Sequence, residues 1–527
     1  MTQTRVFEHR TLLAHPRETV WGWMSNPGAL QRLNPPFASE LVSGPTDGLA
    51  VGSETRLRIA APGGAGLLAD TADGFLKGSL PAGLARRIPA TATPKVPWTA
   101  RHTAFEEGRM FRDEMASGPL AAWTHTHLFE DAAPGEADTP DGRPGTVVLD
   151  RVEYALPAQS LLGRVPGVGG AATAKAHALF EAELRRQFAY RARVLAEDLD
   201  FHAAHPGPLT GGARRTVAVT GAGGMIGTQL CALLTSGGHR VIRLVRDPRA
   251  VTGEDTALWD PLRGTVDAEA LRAADVVVNL AGEPIAGRFT PGHKEAVHAS
   301  RVQGTRTLVE GIAALDPADR PDLVNGSAVG WYGADAGTGP YGSGLVEELA
   351  AGDDFLAEVV SDWEAEAVAA EALGVRVARV RIGVVLSPEG GMLQRMLPLF
   401  LIGAGGPMAV SGGQSHDGSP WISWIGLDDI TGILAHAVLD DDVAGPYNGT
   451  APEPVTVKEF ARTLGGVLRR PSALPVPGFG PRLLLGAEGA AETVEADQKA
   501  VADRIVASGY TMRTPTLEDA LRHVLGR

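Results

Sequence analysis

Hydrophobic and polar positions follow two different rhythms along this chain. In the first part, apolar and polar residues alternate over 5–14, 98–105, 110–115, 122–130 and 145–156. Alternation with period two predicts strands with one buried face. Pro16 opens a helical stretch that carries Val20, Trp21 and Met24 on one side. Phe180, Leu184, Phe188, Ala192, Leu195 and Leu199 recur at helical spacing, so a long helix is expected over 172–199. The Pro/Gly-broken stretch 61–97 reads as a loop, and 131–143 as a polar hairpin loop. Strand, helix, antiparallel strands and long helix, in that order, predict a curved antiparallel sheet wrapped around a C-terminal helix.

The second rhythm is an alternation of short apolar strands (216–220, 240–245, 276–280, 322–327, 375–382) with helical stretches. That alternation predicts a doubly wound, Rossmann-type parallel sheet. After Asn448 come short helical segments (457–468, 481–485, 497–507, 517–525), punctuated by Pro471, Pro475, Pro477 and Pro481. Residues 202–213 are rich in Pro and Gly without apolar periodicity, as a linker would be. The fold class expected is α/β. An α+β domain occupies 1–204, a linker 205–213, the parallel-sheet domain 214–452 and a small helical C-terminal cap 453–527.

At 527 residues, more than one domain is required. The net charge of −14 argues against nucleic acid or an anionic membrane as partner. A single cysteine, Cys231, excludes disulfide scaffolding and reads as a buried structural thiol. The first residues lack the apolar core of a signal peptide, and no run of about 18 apolar residues offers a membrane span. A cytoplasmic protein is expected.

Candidate chemistry centres on Arg-Thr-Val-Ala-Val-Thr-Gly-Ala-Gly-Gly-Met-Ile-Gly at 215–227. A strand runs into a glycine turn with Gly221, Gly224 and Gly227, and an amphipathic stretch follows. That order builds a phosphate site from backbone N–H groups. The second strand ends Leu-Val-Arg-Asp-Pro at 244–248. An acidic residue there would accept from the ribose 2′-hydroxyl of NAD, whereas an arginine would hold the 2′-phosphate of NADP. Arg246 stands at the strand end with Asp247 after it, so NADP is preferred over NAD. The plain alternative is a solvated arginine beside a turn-capping aspartate.

The spacing Gly221-x-x-Gly224-x-x-Gly227 resembles the extended short-chain dehydrogenase/reductase pattern, and Asn279-Leu280-Ala281-Gly282 resembles its Asn-Asn-Ala-Gly motif. Asn325-Gly-Ser327-Ala-Val-Gly-Trp-Tyr332-Gly, Arg381-Ile-Gly-Val-Val385-Leu with Gly390-Gly391, Gly403-Ala-Gly-Gly-Pro407, Ile422-Ser-Trp-Ile with Asp428-Asp429, and Gly445-Pro-Tyr-Asn448 add to the likeness. In order and spacing, residue 214 to the end is similar to the "epimerase family" proteins, a divergent branch of the extended reductases with its own small C-terminal domain. The resemblance implies cofactor contacts at Gly221, Gly224, Met225, Ile226, Gly227, Val245, Arg246, Leu280, Ala281 and Gly282. It adds Glu295 and Arg301, with Ser300 beside it, and Val385. Arg301 would meet a cofactor phosphate; a surface pair with Glu295 is the alternative.

Reductases of this superfamily use a Tyr-x-x-x-Lys pair for proton transfer. Here Phe355 and Val359 stand where that pair would be useful, and Tyr341-x-x-x-Leu345 does not restore it. Members of the resembled family lack it too. Many carry His where this chain has Gly426. Ser327 and Tyr332 remain as candidate catalytic residues, with Asp428 as a further polar group near the nicotinamide side.

The first 200 residues resemble the START-like, helix-grip superfamily of polyketide cyclase and lipid-transfer relatives. The likeness rests on Trp123-Thr-His125-Thr-His127-Leu-Phe-Glu130, on Asp150-Arg-Val-Glu153-Tyr-Ala-Leu-Pro157, and on the opening strand and final helix. Such domains enclose an apolar cavity, which implies a small, hydrophobic ligand or substrate. His125 and His127 share one strand face. They lack an evident third metal ligand, so cross-strand pairing with Asp150 or Glu153 is preferred and no metal is assigned. The function expected is an NADP-dependent oxidoreductase or epimerase-like enzyme with a fused hydrophobic-ligand-binding domain. The alternative is a non-catalytic NADP(H) sensor.

Overall fold

The computed structural model describes residues 4–59, 95–157, 169–340, 342–408, 413–416, 418–472 and 479–527. Most of the loop expected over 61–97, and Tyr341, Pro475 and Pro477, lie outside the described residues.

The first sheet is built from β1 (Arg5–Leu13), β2 (Ser39–Ser43), β3 (Glu54–Ile59), β4 (Val96–Glu106), β5 (Met110–Ser117), β6 (Ala122–Asp131) and β7 (Thr146–Ala155). Its spatial order is β1-β7-β6-β5-β4-β3-β2, with every pair antiparallel. Between β1 and β2 run α1 (Arg17–Ser25) and α2 (Ala29–Leu33), and α3 (Gly169–Ala204) follows β7. Leu184, Phe188, Leu195 and Leu199 of α3 are buried against Phe7, Leu13, Phe129, Val148 and Val152 of the sheet and Trp21 and Trp23 of α1. The long helix thus lies along the sheet's inner face, as the helical spacing predicts. The short elements α2, β2 and β3 were not foreseen.

The chain then passes through 205–213, which carry a single 3₁₀ turn (Pro208–Thr210). His205 Nε2 lies 2.7 Å from His436 Nδ1, so this passage is packed against the second half.

The second sheet contains β8 (Thr216–Thr220), β9 (Arg240–Val245), β10 (Thr256–Asp260), β11 (Thr265–Val266), β12 (Val276–Asn279), β13 (Asp322–Ala328), β14 (Val377–Ile382) and a later strand at Gly445–Gly449. Its order is β11-β10-β9-β8-β12-β13-β14 and then that late strand, with only the β10–β11 pair antiparallel. The four-residue Val-Val-Val-Asn run of β12 is buried on both faces, as expected of a central parallel strand. Successive strands step outward in one direction from β8 and in the other from β12. The crevice at their carboxyl ends is therefore the topological switch point, where open α/β sheets take their ligands.

Helices α4 (Met225–Ser236), α5 (Ala268–Arg272), α6 (Pro291–Ala313) and α7 (Phe355–Val368) cover the sheet. Beyond β14 come β15 (Val384–Leu386), α8 (Gly391–Leu401), β16 (Trp421–Ile422), β17 (Trp424–Gly426), α9 (Leu427–Leu439), the edge strand β18 (Gly445–Gly449), β19 (Val455–Thr456), α10 (Val457–Leu468), α11 (Phe479–Ala491), α12 (Asp503–Ala507) and α13 (Leu517–Leu525). The segment 445–448, noted only as a motif in the sequence, is strand β18. Phe460, Leu464, Ile505 and Leu521 of the late helices share one apolar cluster with Val219, Leu230 and Ile430. The C-terminal helices therefore have no separate core. Among the described residues, no helix is long and apolar enough to cross a membrane.

Candidate functional site

The glycine turn requires its glycines for steric reasons. Gly221 has φ +67°, and a Cβ there would sit 2.8 Å from the carbonyl carbon of Leu280. A Cβ on Gly227 would lie 2.2 Å from the Gly221 oxygen, closer than any side chain permits. Gly224 caps α4 in extended conformation without a side-chain cap. The first amides of α4 therefore keep their hydrogen-bonding capacity for an anion. Cys231, further along α4, is buried, and burial pushes its thiol up to about 11. It is the inert structural thiol that the sequence implies.

Hydrogen bonds tie together the strand ends around this turn. The Thr220 hydroxyl donates to Asn279 Oδ1 at 2.7 Å and accepts from the amides of Leu280 and Ala281. Asn279 Nδ2 donates to Thr305 and to Asn325 Oδ1, each at 2.8 Å. Asn279 thus locks β8, β12, β13 and α6 into one frame, a role its place in the motif did not disclose. Met225, Ile226, Leu280 and Val385 are brought together, half-buried, along the edge of the same core cluster. Val245 is half-buried at the end of β9.

Beyond Val245, Arg246 is exposed and makes no ion pair or hydrogen bond with a described residue. Asp247 caps the following turn and is held by Arg249 at 3.0 and 2.9 Å. The acidic candidate is engaged and the basic one is free. Arg301 donates to the carbonyls of Glu283 and Val297 and lies 5.3 Å over the Trp363 ring. A Cβ on Gly282 would come within 3.1 Å of its guanidinium carbon. No described carboxylate pairs with it, and burial pushes the guanidinium down to about 10. An anionic phosphate would relieve that charge. Glu295 is exposed on α6 and does not pair with Arg301, so the surface ion pair that was the alternative reading is not formed.

The catalytic candidates are already engaged. Ser327 is buried, and its hydroxyl donates to Glu364 Oε1 at 2.6 Å. Glu364 also takes two bonds from Arg381, 2.8 and 3.1 Å long. The Tyr332 hydroxyl donates to Asn448 Oδ1 at 2.8 Å and accepts from Arg381. Burial pushes this phenol up to about 12, against the pull of Arg381, so it stays protonated at neutral pH. Asp428 lies at the start of α9, paired with Arg32 of α2 and His523 of α13. Phe355 carries Lys294 Nζ over its ring at 4.2 Å, and Val359 is buried. Neither supplies a proton.

A second concave feature lies within the first sheet. A cavity of about 470 Å³ sits between the sheet and α3, walled by Leu33, Trp98, Phe111, Leu184 and Phe188. At one wall His125, His127, Asp113 and Asp150 form a buried polar cluster. The predicted pairing with Asp150 is present, with His125 Nε2 at 3.0 Å.

The switch-point crevice, the glycine turn and the basic residues Arg246 and Arg301 beside it define a dinucleotide-binding α/β protein of the doubly wound kind. Residues 217–448 match the NAD dependent epimerase/dehydratase family, and 476–524 match a domain of unknown function, DUF1731. The chain is 38% identical over 317 residues to the chloroplastic epimerase family protein SDR39U1 homolog of Arabidopsis thaliana, covering 86% of that protein and 59% of this one. It is 37% identical to epimerase family protein Mb2239 of Mycobacterium bovis, covering 99% of it and 60% of this chain. The chain belongs to this epimerase family.

Two solved structures extend the comparison. A nucleoside-diphosphate sugar epimerase from Corynebacterium glutamicum aligns with TM-score 0.68 and 31% identity, over 99% of this chain and 90% of that one. The first sheet therefore has a counterpart there as well. Human epimerase family protein SDR39U1, solved with NADPH, aligns with TM-score 0.50 and 31% identity, over 59% of this chain and 99% of that one.

Proposed function

We propose that the chain binds NADP(H) at the switch point and acts as an NADP-dependent oxidoreductase or epimerase-like enzyme on a small molecule. In this reading, residues 1–204 form a START-like, helix-grip chamber for an apolar compound, joined through 205–213 to the nucleotide-binding part (214–452) and the C-terminal cap (453–527). The observation that carries the NADP reading is the contrast at the end of β9: Arg246 is free, while Asp247 is committed to Arg249. NADPH in the human relative's structure supports the same cofactor. Gly221, Gly224 and Gly227 admit the pyrophosphate to the backbone, the amides of Met225 and Ile226 face it, and Arg301 offers positive charge that no described carboxylate pairs. Leu280, Ala281, Gly282 and Val385 would flank the rest of the dinucleotide. When bound, the nicotinamide supplies hydride exchange.

Mass and absorbance of the nucleotide that co-purifies test this reading, together with fluorescence titration of NADPH and NADH. Arg246→Gln should weaken NADPH about 10- to 100-fold, the worth of a lost charged hydrogen bond, and leave NADH unchanged. Co-purification of NAD, or equal loss for both nucleotides, would overturn the assignment.

A second reading is supported by the engagement of Ser327 and Tyr332 and by Phe355 and Val359. It is a sensor that binds NADP(H) without turnover. Tight NADPH binding with no oxidation by any carbonyl substrate in a screen would favour it over the enzyme.

A further inference from the structure

The polar cluster in the first sheet's cavity arises from strand register. Asp113 of β5 stands directly opposite His125 of β6, and His127 stands directly opposite Asp150 of β7. Positions 125 and 127 share a face, and cross-strand partners share it with them. Three neighbouring strands thus aim two imidazoles and two carboxylates at one point on the cavity wall.

The ring nitrogens divide by direction. His125 Nε2 is bonded to Asp150 Oδ1 at 3.0 Å, which leaves Nδ1 facing Asp113 Oδ2 at 3.6 Å. His127 Nδ1 lies 2.7 Å from the same Asp150 oxygen. Its Nε2 faces Asp113 Oδ2 at 4.0 Å. His127 is 3% exposed, and its Nε2 is directed at Asp113 while its Nδ1 is turned to Asp150. The arrangement has an outer carboxylate, Asp150, behind two imidazoles whose other nitrogens converge with a third donor, Asp113. Carboxylate–histidine–metal sites have the same layout.

We propose that Asp113, His125 and His127 bind a divalent transition-metal ion of the zinc class, with Asp150 as the positioning carboxylate. Ligand atoms about 2.0–2.2 Å from an ion lie roughly 3–4 Å from one another, the range of the two gaps to Asp113. Among the described residues, this is the only group of three such donors whose atoms lie within 4.8 Å of one another. Two carboxylates, Asp113 of β5 and the buried Asp150 of β7, flank the imidazoles and give the cluster its negative charge. Three protein ligands leave the ion's remaining positions open. Those positions face the cavity walled by Trp98, Phe111 and Phe188. The ligand class that fits is a largely apolar molecule with one oxygen donor, a carbonyl or an ionisable hydroxyl, bound to the ion as a Lewis acid. This site is independent of the nucleotide reading.

The test uses the untagged full chain, stripped with chelator and dialysed against Zn²⁺ or Co²⁺. Elemental analysis should find one ion per chain, and Co²⁺ should give visible d–d bands that Zn²⁺ abolishes. Asp113→Asn, His125→Gln and His127→Gln should each lower affinity more than tenfold. Asp150→Asn should lower it about 10- to 100-fold, as loss of an orienting partner does. NADPH titration and circular dichroism report whether each variant is folded. Wild-type protein that takes up no stoichiometric Zn²⁺ or Co²⁺, or uptake unchanged in the folded variants, would overturn the proposal whatever the result with NADPH.

Discussion

The guanidinium of Arg32 and the carboxylate of Asp428 meet at 2.7 Å, both buried, and join the first sheet's helix α2 to helix α9 of the second half. Arg32 also makes a two-pronged bond to Asp198 of α3, at 2.8 and 2.9 Å, and donates to Gln229 of α4. Arg513 completes the pairing of Asp198, and His523 that of Asp428. The network balances two arginines against two aspartates across the junction. Removing Arg32 strips both buried aspartates of one of their two partners, and that loss outweighs the pair's own modest net value. Arg32→Met should destabilise the chain by about 3 kcal/mol. Urea unfolding checks this, and a midpoint equal to wild type would show that the junction draws its stability from apolar packing alone.

Two histidines near the same junction give stability a pH dependence. Burial pushes His202 down to about 3, and burial with Arg215 nearby pushes His239 down to about 4. In the unfolded chain each titrates near 6.5. Above that pH neither state is protonated and nothing is lost. As pH falls below about 6.5, the unfolded chain takes up protons that the folded chain refuses. Stability therefore falls with falling pH, down to the folded values of about 3 to 4. Each group contributes a slope of at most about 1.4 kcal/mol per pH unit. Urea midpoints at pH 7, 6 and 5 should decline in that order, and His202→Gln should flatten the decline. A midpoint constant over this range contradicts the assignment.

What the sequence disclosed, and what it hid, follows from how local each signal is. The strands around the glycine turn were legible because central parallel strands are short, largely apolar runs bounded by turn residues, as at 216–220 and 276–279. The first sheet's α2, β2 and β3 were not, because they are five or six residues long and show no clean alternation of burial. Arg246 could be singled out because its role depends on a neighbouring residue in the chain. Asp113 could not, since its meeting with His125 depends on the register of two antiparallel strands. The pairing of Asp428 was hidden for the same reason: nothing local to it announces Arg32.

The close approach inside the glycine turn predicts a selective loss. Gly227→Ala would place a methyl group 2.2 Å from the backbone oxygen of Gly221, which has no flexible side chain to yield. The turn must open, and its amides lose their common aim. NADPH affinity should fall more than tenfold, read by fluorescence titration, while circular dichroism stays that of a folded chain. Retained affinity would mean that the nucleotide is held without the turn.

Tyr332 separates structural from catalytic use of the buried network. Its phenol bonds to Asn448, whose amide group in turn donates to the carbonyls of Leu345 and Val501 and whose backbone N–H donates to Glu347. Tyr332→Phe leaves Asn448 Oδ1 buried and short of a donor, a cost of about 1–3 kcal/mol. The phenol holds its proton up to about pH 12, so the wild-type side chain supplies no base at neutral pH. The variant should therefore melt earlier in a thermal scan yet bind NADPH as wild type does. Any turnover found should keep its pH profile between 6 and 9. A collapse of turnover at unchanged stability would instead return Tyr332 to the reacting centre, with the ring turned from Asn448 toward substrate.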